Sequence, residues 1–124
     1  MTVERPTRPI GFRVGWGALV LITGVSLLSH LAGPFLGYID TDAQTLAILA
    51  LAGMNVYALA VLVTAYRRAE PWAWWVTWAM IAIYGLVILY APIAGRYYVG
   101  GAVAMAVAQL AAWSVFQRGP GGGP

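Results

Sequence analysis

A chain of 124 residues that is 61% hydrophobic and 9% charged lies far from the soluble balance of about 25% charged residues. Its net charge of +3 and pI of about 9.6 come from arginine alone, and the absence of cysteine excludes thiol redox chemistry, disulfide exchange and thiolate metal sites. The length fits one domain, with no room for a separate soluble catalytic unit.

Residues 1–11 read as a polar, proline-containing tail with Arg5 and Arg8. A first apolar helix follows over about 12–32, and roughly 20 helical residues suffice to cross a ~30 Å hydrocarbon core. It exceeds the h-region of a signal peptide and no A-x-A site follows, so it is read as a retained helix. Gly33-Pro34 stops it, because proline cannot continue the hydrogen-bond ladder. Asp40, Thr41 or Asp42 can cap a second helix over 43–66, and Thr41-x-x-Gln44 fits a capping box. Arg67 and Arg68 close that helix, their charge suiting its C-terminal dipole. Glu70-Pro71 opens a third helix over 71–91, with proline at its favoured first position. Pro92 and Gly95 are expected to break the chain before a fourth helix over 97–117, which closes at Arg118-Gly119. Residues 119–124 read as a flexible, disordered tail.

The expected fold is all-α, a four-helix transmembrane bundle over 12–118 running up-down-up-down. Pro34, Gly37 and Trp16 recur at one common spacing as Pro92, Gly95 and Trp74, and Met54 and Arg67 recur at another as Met105 and Arg118. Two repeated hairpins would produce this, as would the shared need for a breaker at each turn and arginine at each inner end. Arg5, Arg8, Arg13, Arg67, Arg68 and Arg118 fall on one side of the expected spans, and only Arg96 on the other. By the positive-inside rule both termini are cytoplasmic, which places a multi-pass protein in the inner (cytoplasmic) membrane. The tryptophans gather in the same half as those arginines, while Tyr38, Tyr90, Tyr97 and Tyr98 gather at the opposite boundary. Insertion bias thus accounts for the basic pI, and no nucleic-acid partner is expected.

Glu4, Asp40, Asp42 and Glu70, the only carboxylates, all lie in tails or loops. Ion-coupled transport usually needs an ionisable group inside the membrane, so their placement argues against a small proton-coupled exporter. Asp40-x-Asp42 offers too few oxygens for calcium, and no metal site is expected. Asn55 and Gln109 are the amides deepest in hydrocarbon and fall at nearly equal depth, which allows a bond between them or to a neighbouring protomer. Either they act as packing glue, or they line a small polar pocket with Tyr57, Thr64 or Tyr84. His30, the only histidine, cannot supply bis-His haem ligation or a catalytic zinc site. It reads as an interfacial polar residue, or as a single ligand to a haem or chlorophyll-type pigment, alone or across a dimer. The cofactor-binding candidates are therefore His30, Asn55, Tyr57, Tyr84 and Gln109, with no cofactor and no catalytic residue expected.

Gly100, Ala104, Ala108 and Ala112 form a small-residue stripe at every fourth position, with a milder version at Gly11, Gly15 and Gly17. Small side chains let helix backbones approach closely, either inside the bundle or between protomers. Arg67, Arg68, Trp72, Trp74, Trp75 and Trp78 form an inner-leaflet contact set in which Trp74 and Trp78 share a helix face and an arginine can stack on an indole. Arg67, Arg68, Glu70, Trp72, Ala73 and Trp74 also resemble the turn between the second and third helices of small uncharacterised bacterial four-helix membrane proteins, some of them DoxX-like. That resemblance implies a four-helix membrane fold and a link to quinone-associated respiratory assemblies, and it carries no catalytic residue to this chain. The leading functional expectation is a non-enzymatic membrane protein acting by helix association, as a homo-oligomer or an accessory subunit of a membrane complex. The alternative is a binder or carrier of an apolar small molecule such as a lipid, quinone or pigment; an oligomeric pore is a third class, with few polar residues to line it.

Overall fold

The computed structural model describes residues 8–37 and 41–117, and the regular structure among them is entirely helical. Helix α1 spans Ile10–Ala32, so Ile10 and Gly11 belong to it rather than to the tail. Past Ala32 the chain tightens into a 3-10 turn, Gly33–Leu36, which carries it through Pro34. Gly37 then takes the left-handed conformation with φ 72°, open to glycine without a Cβ clash. Helix α2, Asp42–Val61, starts where the Thr41 hydroxyl accepts the Gln44 backbone N–H at 3.2 Å. Its last turn widens over Leu62–Tyr66 into a π turn, whose Leu62 carbonyl accepts the Arg67 N–H at 3.2 Å and the Trp16 indole N–H at 2.8 Å. Helix α3, Pro71–Tyr90, opens on proline, as the sequence predicts. Tyr38, Ile39 and Asp40, residues 1–7, and the Arg118-Gly119 stop with its tail lie outside the described residues.

Helix α4 differs from expectation. It spans Pro92–Ala111, beginning five residues before Tyr97. Ala91 alone breaks the chain, at φ −137° and ψ 76°, and Pro92 takes the first helical position, where its missing N–H removes no hydrogen bond. Gly95 is a packing residue in the first turn: a Cβ there would overlap the Ile88 backbone of α3. The helix ends six residues early too, at a turn through Ala112 that leads into one further helical turn, α5, Trp113–Phe116.

Among the described residues, three stretches are long and apolar enough to cross a membrane: Ile10–Leu36, Asp42–Tyr66 and Pro71–Tyr90. The fourth helix matches α3 in length, but Arg96, Gln109 and the glycines at 95, 100 and 101 dilute its apolar character. Helix contacts are densest between α3 and α4, followed by α1 with α2 and α1 with α4; α2 and α3 barely touch. All four long helices feed the core, around Leu19, Leu62, Tyr66, Trp74, Met105 and Ala112.

Small residues set the α1–α4 spacing. A Cβ on Gly11 would lie 2.8 Å from the Ala111 carbonyl oxygen, and one on Gly15 would overlap the Ala108 carbonyl oxygen. Ala108 and Ala112, the half of the stripe near the arginine-bearing turn, are buried in this seam, while Gly100 and Ala104 are exposed.

Candidate functional site

Ser26 and His30 stand one helical turn apart on the same face of α1. Opposite them, α2 presents Asn55, α3 presents Tyr84 and α4 presents Tyr98, so all four long helices contribute to one polar cluster. The Ser26 hydroxyl lies 2.6 Å from the Tyr84 hydroxyl, which donates to the Asn55 side-chain oxygen. The Asn55 amide nitrogen reaches His30 Nδ1 and the Leu51 carbonyl, each at 2.9 Å. His30 Nε2 is 2.6 Å from the Tyr98 hydroxyl, and the two rings stack with centroids 5.8 Å apart. Asn55 is wholly buried, and His30 and Tyr84 nearly so. Buried polar groups gain from pairing because an unpaired one carries its full desolvation penalty, and Asn55, His30 and Tyr84 all find partners.

Beside the cluster is an open pocket of about 460 Å³. Its walls are Ile22, Val25 and Ile48 together with Ser29, His30, Tyr84, Tyr97 and Tyr98. The mixture is that of a small-molecule site, a mostly apolar wall with a few polar groups that fix orientation.

Of the five cofactor-binding candidates, the structure brings His30, Asn55 and Tyr84 together. Tyr57 is exposed and lines a separate apolar groove of about 210 Å³ between α2 and α3, with Met54, Val61, Val76, Met80 and Ile83. Gln109 lies elsewhere as well: it accepts the Tyr66 hydroxyl at 2.9 Å and donates to the Trp74 carbonyl at 3.0 Å. The depth match between Asn55 and Gln109 fails: Asn55 bonds His30 at the level of Tyr98, and Gln109 stands 11 residues past Tyr98 on α4, about 16 Å along the helix and level with Tyr66. Thr64 turns back on its own helix and bonds the Ala60 carbonyl.

Sequence reasoning missed Ser26 and Tyr98. Ser26 was legible as the only other polar side chain one turn from His30 toward the helix middle; Tyr98 was hidden by its reading as a boundary aromatic. Among the described residues, Thr23 Oγ1 is the one buried side-chain polar atom with no partner, and it lies one turn from Ser26.

At the opposite end of the helices the expected arginine–tryptophan set divides. Trp74 is buried in an aromatic cluster, 4.9 Å from Phe116 and 5.1 Å from Trp113, and meets Trp78 edge-on at 6.1 Å. Trp72 and Trp75 are exposed. The Arg67 guanidinium lies 5.6 Å from the Trp16 ring centre, a cation–π pair between α1 and the end of α2. Arg68 pairs with Glu70 at 2.6 Å, and the Trp72 indole N–H donates to the same carboxylate at 2.6 Å. Those two donors, the indole first, hold the Glu70 carboxyl below the usual carboxylate range. No protein-family model, no curated protein and no solved structure matches this chain.

Proposed function

We propose that the chain is a non-enzymatic inner-membrane protein that holds a small, mostly apolar molecule in the cavity beside His30. The observation that carries this reading is convergence: four helices each commit a polar side chain to one buried cluster, with a cavity of about 460 Å³ against it. Intramembrane ionisable and polar groups are costly and tend to mark functional sites. A lipid, a quinone or a pigment fits the mixed lining. In this reading the four helices form an up-down-up-down bundle with cytoplasmic termini, supported by the arginine distribution.

Association is the second reading, and the exposed half of the α4 stripe favours it. Ala108 and Ala112 already pack against α1, so a homo-oligomer or a partner subunit would seat on Gly100 and Ala104. Native mass spectrometry of the chain extracted in mild detergent separates the two. A fixed small-molecule adduct on a single protomer, lost in His30→Leu, is the expected result. A bare homo-oligomer or a co-purifying protein, dispersed by Ala104→Leu, would replace the binder with the association reading.

A further inference from the structure

The Asn55 contacts give the polar cluster a direction, although the Ser26 backbone carbonyl also bonds the His30 ring. The Leu51 carbonyl can only accept, so the Asn55 atom beside it is the amide nitrogen, and one of its two hydrogens is spent there. The other goes to His30 Nδ1, which must then offer a lone pair. A neutral imidazole that accepts at Nδ1 carries its proton on Nε2, so Nε2–H donates to the Tyr98 oxygen at 2.6 Å. On the other branch, Tyr84 spends its proton on the Asn55 oxygen and therefore receives one from Ser26. Every amide and imidazole site in the cluster is then used.

One donor is left over. The Tyr98 hydroxyl receives His30 and, among the described residues, has no acceptor for its own hydrogen, while its side chain lines the cavity. We propose that this hydroxyl is the ligand-binding donor of the cavity, and that the ligand is a neutral, carbonyl-bearing apolar molecule whose oxygen accepts from Tyr98. The proposal rests on the binder reading and specifies the ligand's chemistry. A carbonyl on a long apolar body comes from two sources, an isoprenoid quinone or a diacyl lipid ester. The ring stacking of His30 on Tyr98 holds the donor in place, and the bond it already accepts polarises the hydroxyl and strengthens its donation.

Two measurements on the full chain test this. The ¹⁵N spectrum of labelled His30 in lipid nanodiscs reads the tautomer directly: protonation at Nε2 is expected, and protonation at Nδ1 would reverse the chain and overturn the proposal. Binding is then measured with an isoprenoid naphthoquinone in one arm and a diacylglycerol in the other, the protein held in dialkyl-ether lipid, which lacks carbonyls. Tyr98→Phe keeps the ring and removes the donor, and should weaken the arm that binds by about three- to tenfold, one ordinary hydrogen bond. The arm that responds identifies the source. Equal affinity in Tyr98→Phe and in the unaltered chain would remove Tyr98 as the donor while leaving the cavity a binding site. Failure of both probes to bind the unaltered chain saturably would instead overturn the binder reading beneath it.

Discussion

Gly15→Ala tests the close-packed seam between α1 and α4. A methyl at Gly15 would fall inside the contact radius of the Ala108 carbonyl oxygen and 3.3 Å from the Ala112 nitrogen. Carbon and carbonyl oxygen ordinarily meet no closer than about 3.3 Å, so α1 and α4 must part by roughly 1 Å. Both opposing atoms are backbone, which cannot rotate away. A gap of that size forfeits a quarter to a half of each dispersion contact along the seam, and overpacking of this kind costs about 1–3 kcal/mol. Gly11, where the same methyl would lie 2.8 Å from the Ala111 oxygen, should lose less. Gly17, with nothing within 4 Å, should tolerate alanine at no cost. Unfolding by titrating sodium dodecyl sulfate into mixed micelles, read by tryptophan fluorescence, ranks the three. Gly15→Ala as stable as Gly17→Ala would refute the close-packed seam.

Three further outcomes are expected. Thr23→Val keeps the shape and removes the hydroxyl without a partner, and should stabilise the fold by about 1 kcal/mol or more in the same titration; a loss would mean the hydroxyl is paired. Ala69 holds φ 61° in the turn between α2 and α3, a conformation that costs an L-residue roughly 1–2 kcal/mol, so Ala69→Gly should gain about 0.5–1 kcal/mol after the entropy of glycine is counted. Because the Glu70 carboxyl is held below its ordinary 4.5, its contribution to that turn is present above pH 4.5 and lost as the pH falls below it. Amide exchange at residues 67–72 should therefore quicken on acidification, and the acid response should vanish in Glu70→Gln.

The apolar runs were legible because a bilayer-length helix needs an uninterrupted stretch of them, and α1, α2 and α3 fall where those runs do. Proline misled at one place. Pro92 has the same chemistry as Pro71, yet it followed an apolar run and read as a stop, when it was the first residue of the next helix. Counting depth from that misplaced start set Gln109 beside Asn55, whereas its bond to Tyr66 puts it about 16 Å further along the helices. His30, Asn55 and Tyr84 were visible as polar residues in apolar surroundings. Their meeting was not, since it depends on which faces α1 and α3 turn toward α2, and nearly uniform apolarity leaves no polar face in the sequence to mark that rotation. The small-residue stripe likewise gave a seam without a partner; only the opposing glycines of α1 divide it into a packed half and an open one.

A connection of one residue, Ala91, joins α3, a span apolar enough to cross a membrane, to the most diluted helix, its most extensive packing partner. Such a joint has no slack for α4 to wait outside while α3 settles. During synthesis the two should partition as a single hairpin, α3 carrying Arg96 and the glycines of α4 with it. Insertion as a pair would shift its burden from each helix to the hairpin and leave α4 free to hold residues chosen for close contact and hydrogen bonding rather than for lipid solubility. Lengthening that joint with a flexible spacer should uncouple the pair and leave α4 exposed to a membrane-impermeant label.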